Sequence, residues 1–353
     1  MTNPFRSYTF VGAGAIGGTV AHAMAKAGYP VTLIDTDAAH IAAIRESGLR
    51  IRGTDGVDDV VFVAGAFTPD EYPADSAPIE RVVISTKSQH TRDAAQWAAP
   101  RMTADGFVVS LQNGINEPVI AEEVGQGRVI SAFVNIFTDY LEPGVVSFGG
   151  TGALSVGLPE GGAPDARSLM VARDFRAYGP VTASANVAGY RFAKRAFGGI
   201  LGLTSVVDRP MSEVVDANRD LAAAVAVEST ETAIRAGIVL ESFDSYEPYA
   251  FRADAPADVR EAALDRLVIY LAGQPKDRSG GFRDIAVRKR PTERGLIDDG
   301  YADLAAKHGV DTTFTKTVGS IIGKISSGEL NFSPDNLDTL RTVLNTMNST
   351  AAA

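Results

Sequence analysis

The chain contains no cysteine. That excludes disulfides, thiolate catalysis and cysteine-ligated zinc together. Its four histidines are scattered along the sequence, so a histidine-rich metal site is not expected. Basic residues are in the minority: 33 Lys and Arg against 43 Asp and Glu leave a net charge of −10. This balance argues against nucleic acid or an anionic membrane as a partner, because both call for basic patches. No apolar run reaches the ~20 residues of a membrane span. The start, Met1-Thr2-Asn3-Pro4-Phe5-Arg6, lacks the long apolar core of a signal peptide. These absences point to a cytoplasmic setting. The rest of the composition, 45% hydrophobic and 22% charged over 353 residues, is that of a globular protein with material for two cores.

The most informative segment lies at the beginning. Tyr8-Thr9-Phe10-Val11 is an apolar strand. Gly12-Ala13-Gly14-Ala15-Ile16-Gly17 is a Gly-x-Gly-x-x-Gly turn. Alanine-rich sequence follows to Gly28, then a second strand, Val31-Thr32-Leu33-Ile34, ends in Asp35. Each part has its own task in holding a dinucleotide. Gly12 permits the sharp turn, Gly14 lets the backbone approach a pyrophosphate, and Gly17 lets the helix pack close to the sheet. The helix N-terminus, with Ala15 and Ile16 in its first turn, offers N–H groups and partial positive charge to the phosphates. Asp35, eighteen residues after Gly17, suits the ribose hydroxyls of an adenosine.

The first half alternates short apolar runs with helical stretches. Val31–Asp35, Val60–Ala64, Val82–Ser85, Val108–Leu111 and Val129–Phe133 are expected strands. Ala21–Ala27, Ala38–Glu46, Thr91–Ala99 and Glu117–Val124 are expected helices between them. The alternation predicts an α/β domain, a Rossmann-type doubly wound parallel sheet. The Gly-rich Thr138–Gly157 stretch predicts antiparallel strands extending that sheet. The second half carries helix-period apolar spacing over Phe192–Leu203, Leu221–Gly237, Ala255–Leu271, Thr292–His308 and Thr313–Ser326. It predicts an all-helical C-terminal domain. The boundary falls near Pro180–Tyr190, giving 1–184 and 185–353, with the last six residues expected to fray. Apolar helices of the second domain could pair in a homodimer or cover an interdomain cleft. In a doubly wound sheet the ligand lies beyond the C-terminal strand ends. The loops Thr86-Lys87-Ser88-Gln89 and Gln112-Asn113-Gly114 are therefore placed over the nicotinamide half of a cofactor.

Those two loops resemble the ketopantoate reductase family, which has a Lys-Ser-like loop after its fourth strand and Gln-Asn-Gly after its fifth. Phe192-Ala193-Lys194 resembles the aromatic-x-Lys with which the family opens its helical domain. Asp284 followed by Arg290-Pro291-Thr292-Glu293 resembles its Asp-containing short helix and Arg-x-Thr-Glu motif. The likeness runs from residue 8 to about 340. It implies hydride transfer between a nicotinamide and a carbonyl or hydroxyl carbon of a small molecule. Lys194 would be the general acid, Glu293 would anchor substrate or hold Lys194, and Asn113 would orient substrate or the nicotinamide amide. Lys87 and Gln112 would line the cofactor, and Ser279 is matched to a serine that contacts substrate. The run Arg288-Lys289-Arg290 either attracts a carboxylate or forms a solvated face.

Two departures separate this chain from that pattern. The family usually ends its second strand with an arginine that pairs with the 2′-phosphate of NADPH. Here Thr36 stands there, after Asp35, which favours NAD over NADP. Arg45 or Arg50 could reach in and weaken that preference. The family also places asparagines one and two turns after the catalytic lysine to read pantoate. Here Gly198 and Gly202 replace them, either widening the pocket or permitting close helix packing. The substrate is thus expected not to be ketopantoate itself. The alternatives are a genuine NADPH-dependent ketopantoate reductase, an imine-reducing or opine-type dehydrogenase, and a nucleotide-sensing binding protein.

Overall fold

The computed structural model describes residues 5–53, 56–289 and 294–351. The chain divides into two compact units, Met1–Val187 and Ala188–Ala353.

The first unit runs β1 (Tyr8–Val11), α1 (Ala15–Lys26), β2 (Val31–Ile34), α2 (Ala38–Ser47), β3 (Leu49–Gly53), β4 (Asp58–Val61), β5 (Gly65–Phe67) and β6 (Ile79–Ile84). It continues through α3 (Thr91–Ala98), β7 (Met102–Ser110), α4 (Glu117–Val124), β8 (Val129–Val134), β9 (Thr138–Glu142), β10 (Val145–Phe148), β11 (Leu154–Gly157), α5 (Ala166–Phe175) and β12 (Val181–Ala183). The main sheet has the order β12-β11-β8-β7-β6-β1-β2-β5. From β5 to β8 its strands pair in parallel, and β11 pairs antiparallel with β8. Both faces are covered. Phe10, Leu33, Val83, Val109 and Ile130 pack on the α1 and α5 side, and Ile34, Val82, Ile84, Val108 and Val129 on the α3 and α4 side. Burial on both faces is why these strands are near-continuous apolar runs. The chain order reverses between β1 and β6, the crevice where ligands settle in such sheets.

Three expectations are corrected here. The run Val60–Ala64 does not enter the parallel sheet. Asp58–Val61 pairs antiparallel with β3, and the short Gly65–Phe67 takes the place beside β2. The Thr138–Gly157 stretch extends the main sheet only through β11. β9 and β10 instead join β3 and β4 in a separate four-stranded sheet, order β4-β3-β10-β9. No helix is expected beyond Ser326, yet one runs from Pro334 to Ala351.

The second unit is helical: α6 (Val187–Leu203), α7 (Met211–Ala217), α8 (Arg219–Arg235), α9 (Ala257–Ala272), α10 (Gly280–Ala286), α11 (Arg294–Lys307), α12 (Thr313–Ser327) and α13 (Pro334–Ala351). Polar anchors fix α8 to its neighbours. The buried Glu228 carboxylate accepts from the amides of Phe314 (3.0 Å) and Thr315 (2.8 Å) at the start of α12. The Tyr301 hydroxyl of α11 donates to the Glu228 carbonyl at 3.0 Å.

Candidate active site

In the first unit the glycine turn is built as tightly as its sequence suggests. Gly12 has φ +100°, and a Cβ there would lie 2.7 Å from the Thr86 amide nitrogen. Only glycine tolerates both constraints. A Cβ on Gly17 would lie 2.1 Å from the Gly12 carbonyl oxygen and 2.3 Å from Ser85 Oγ. Gly14 is different: a Cβ there would meet nothing within 4 Å. Gly14, Ala15 and Ile16 are half-buried, between the buried Ala13 and Gly17. The N-terminus of α1 has no side-chain cap and no acidic residue in its first turn. By contrast, Asp37 and Asp165 cap α2 and α5. An uncapped, acid-free helix start behind a turn with open space over Gly14 fits a diphosphate.

Asp35 sits beside this turn. Its carboxylate accepts from the Ala13 amide at 2.7 Å and from the Asp37 amide at 3.0 Å. Each oxygen keeps a lone pair for a ribose hydroxyl. Thr36 is exposed between Asp35 and Asp37. Partial burial pushes the Asp37 carboxyl up, but the His40 amide and Tyr140 hydroxyl it accepts from hold it below the usual range. Arg45 is engaged by Glu71 and Arg50 by Asp58, each at 2.5 Å.

The loops after β6 and β7 adjoin the turn. Ser85 Oγ donates to the Gly12 carbonyl at 2.7 Å. The buried Gln112 amide donates to the Thr86 carbonyl and to Thr91 Oγ1, both at 2.9 Å. Asn116 Nδ2 donates to the Asn113 carbonyl at 2.8 Å, and Ser88 Oγ to the same oxygen at 3.3 Å. Glu117 accepts from the Asn116 amide and from Ser131 Oγ. The structure thus gathers the two loops around a buried polar network, with Lys87 and Asn113 half-buried beside it. Gln112 is a brace of this network. The sequence assigns Thr91, Asn116, Glu117 and Ser131 no part in a site, because hydrogen bonds between distant loops leave no periodic signal.

In the second unit, Lys194, Gly198 and Gly202 recur every four residues on one face of α6. Lys194 and Gly198 are half-buried. A Cβ on Gly198 would meet nothing within 4 Å, whereas one on Gly199 would lie 2.4 Å from Val225 Cγ1 of α8. Close helix packing therefore accounts for Gly199 and leaves Gly198 facing open space. Ser279 caps α10, accepting from the Phe282 amide at 3.3 Å, and its hydroxyl lies 2.6 Å from Ser205 Oγ. Ser205 in turn donates to the Leu201 carbonyl, so the Ser279 proton is committed to Ser205. This gives Ser279 a structural task near the end of α6. Glu293, with Arg290 to Thr292, lies outside the described residues. The helix that begins next to it, α11, docks on α6 where the Arg195 guanidinium stacks 3.7 Å from the Tyr301 ring centroid. Asp284 is buried and accepts from Arg288 at 3.0 Å, which places Arg288 of the basic run against an acid.

Among the described residues, no cluster of three or more His, Asp or Glu could hold a metal ion. Nor is any helix long and apolar enough to cross a membrane.

Comparison with known proteins agrees with this geometry. Residues 8–161 match the profile of the family described as ketopantoate reductase PanE/ApbA. The 2-dehydropantoate 2-reductase of Halobacterium salinarum is 34% identical over 172 residues, 48% of this chain and 55% of that protein. That of Pyrococcus horikoshii is 33% identical over 184 residues, 52% and 58% of the two chains. The matches thus span little more than half the length of these relatives. Over almost the full length, the fold is that of a PanE/ApbA family ketopantoate reductase from Ralstonia eutropha, with TM-score 0.73, 25% identity, and 91% and 99% of the two chains covered. It is also that of a D-mandelate dehydrogenase solved with NADH and anilino(oxo)acetate, with TM-score 0.77, 20% identity and the same coverage. Residues 8–161 are thus similar to the ketopantoate reductase family, and almost the whole chain shares the fold of a solved protein of that family.

Proposed function

We propose that this protein is an NAD-dependent oxidoreductase acting on a small 2-oxo acid, 2-hydroxy acid or related ketone or alcohol. The observation that carries the reading is the glycine turn, with open space over Gly14, an uncapped α1 start and Asp35 fixed at its side. Gly12, Gly14, Ala15, Ile16 and Gly17 would hold the diphosphate, and Asp35 the adenosine ribose. Lys87, Gln112 and Asn113 would border the nicotinamide. When bound, the nicotinamide supplies or accepts a hydride. The chain's own part is to manage the proton. Lys194 Nζ gives a proton to the carbonyl oxygen in reduction and takes it from the hydroxyl in oxidation. As an ammonium it also stabilises the negative charge developing on that oxygen. Glu293 orients Lys194 or the substrate.

The preference for NAD rests on Asp35 and Asp37 flanking Thr36. Two carboxylates would repel a 2′-phosphate, and Arg45 and Arg50 already serve Glu71 and Asp58. The D-mandelate dehydrogenase of the same fold, solved with NADH, supports an architecture compatible with that cofactor. Open space at Gly198 supports a substrate bulkier or less polar than pantoate, because the side chains that would read pantoate are absent. A second reading, an NADPH-dependent 2-dehydropantoate 2-reductase, is favoured by the names of the curated relatives.

The test is NADH and NADPH consumption across ketopantoate and a panel of aliphatic and aromatic 2-oxo acids, with Lys194→Ala in parallel. The proposal expects turnover with NADH on a 2-oxo acid other than ketopantoate, lowered at least about 100-fold by the substitution. Brisk ketopantoate reduction with NADPH alone would establish the second reading. Undiminished turnover by Lys194→Ala would remove Lys194 from the chemistry.

A further inference from the structure

His40 is buried in the first turn of α2, and the proposed chemistry gives it no task. Its ring nonetheless makes two directed contacts. The Gly144 amide, at the tip of the β9–β10 hairpin, donates to His40 Nδ1 at 2.8 Å. His40 Nε2 lies 2.9 Å from the Ala13 carbonyl oxygen inside the glycine turn. An amide can only donate, so Nδ1 is the acceptor. The neutral ring then carries its proton on Nε2 and donates it to Ala13. The other side of Ala13 is also held, since its amide donates to Asp35 at 2.7 Å. The Ala13–Gly14 peptide is planar and trans, so its N–H points opposite to its C=O. Drawing the Ala13 oxygen toward His40 therefore aims the Gly14 amide away from α2.

The hairpin that supplies Gly144 is itself anchored. Gly144 has φ +81°, and a Cβ on it would lie 3.0 Å from Ala43 Cβ of α2. Its carbonyl accepts from the Arg50 amide of β3 at 2.9 Å. Tyr140 of β9 packs its ring 5.0 Å from that of His40 and donates its hydroxyl to Asp37 at 3.0 Å. The second sheet, the start of α2 and the glycine turn thus meet at one imidazole.

We infer that His40 is a positioning residue for the dinucleotide: through its Nε2–H bond to Ala13 it fixes the peptide that faces the diphosphate, and the β9–β10 hairpin sets its tautomer. The inference rests on the cofactor reading proposed above. The two bonds separate by substitution. In His40→Gln the terminal amide reaches the Nε2 position and can donate to Ala13. In His40→Asn the amide sits where Nδ1 was, keeps the Gly144 contact and stops short of Ala13. Both variants disturb the core to a similar degree, so a merely structural role would lower their melting temperatures and leave NADH affinity alone. Titration with NADH, followed by its fluorescence, should give a Kd raised about tenfold for His40→Asn and within about threefold of the unsubstituted protein for His40→Gln. Equal affinity in all three proteins, or equal loss in both variants, overturns the inference. Imidazole 15N spectra of the unsubstituted protein provide a check that needs no variant. They should report the Nε2–H tautomer for His40, and the Nδ1–H tautomer would overturn the inference. Absence of NADH binding by the unsubstituted protein would instead remove the cofactor reading beneath it.

Discussion

At the scale of single residues, neighbouring glycines do opposite jobs, and substitution separates them. Gly17→Ala drives a methyl into the Gly12 carbonyl and Ser85. Overpacking of this kind costs about 1–3 kcal/mol or more, so the melting temperature should fall clearly. Gly14→Ala meets open space. It should leave the melting temperature nearly unchanged while abolishing saturable NADH binding, because the methyl occupies the diphosphate's approach. In the second unit, Gly198→Ala should stabilise the protein by about 0.5–1 kcal/mol, the usual gain in a helix interior. Gly199→Ala should destabilise it, because Val225 stands 2.4 Å from the new carbon. Denaturant titration of the two variants checks the sign of each effect. If Gly198→Ala proved as damaging as Gly199→Ala, the open space at Gly198 would lose its meaning for the substrate pocket.

At the scale of elements, the glycine turn, α4 and the helices α6, α8, α9, α11 and α12 were legible in the sequence because local signals specify them, whereas α7 and the C-terminal α13 were not expected. Gly-x-Gly-x-x-Gly and 3.6-residue apolar spacing each act within one element. The partner of a strand is not local information. Val60 to Val63 has the apolar character of a parallel strand, yet Asp58–Val61 is held by β3, and the three-residue β5 takes the parallel place. The β9–β10 hairpin was legible as antiparallel strands, but not as part of a separate sheet, since β10 pairs in parallel with the distant β3, Val145 opposite Arg50. The candidate site divides in the same way. Its glycines, Asp35 and the two strand-end loops follow from motif and topology, whereas His40, Asn116 and Glu117 act through contacts that only the fold creates.

The contact between α1 and the second sheet also has a pH signature. Burial lowers the pKa of His22, against the opposing pull of Asp59. The unfolded chain therefore binds the proton more readily than the folded one. The associated stability is complete above the ordinary value of 6.5 and is lost as pH falls from there toward the lowered folded value. Melting curves between pH 7.5 and 5, taken for convenience around the value of about 6.5, should show a decline that is shallower in His22→Gln. In the second unit, Glu228→Ala leaves the Phe314 and Thr315 amides without their acceptor. It should cost about 1–3 kcal/mol, measurable by denaturant titration. A neutral result would mean that water replaces the carboxylate at the start of α12.

At the scale of the whole molecule, the first unit carries the glycine turn with Asp35 and the helical unit carries Lys194, and the proposed preference for NAD is what would set this chain apart from the ketopantoate reductase pattern. That preference would be written in charge. Asp35 and Asp37 flank an exposed threonine where the pattern has an arginine, and Arg45 and Arg50 are paired with Glu71 and Asp58. Replacing the carboxylates should therefore change selectivity more than affinity for the shared part of the cofactor. The most direct test is parallel titration of the unsubstituted protein and Asp35→Ser with NADH and NADPH. The expected result is that the unsubstituted protein binds NADH at least about tenfold more tightly, a difference of roughly 1.4 kcal/mol, and that Asp35→Ser narrows or reverses the gap. Tighter binding of NADPH by the unsubstituted protein would contradict it.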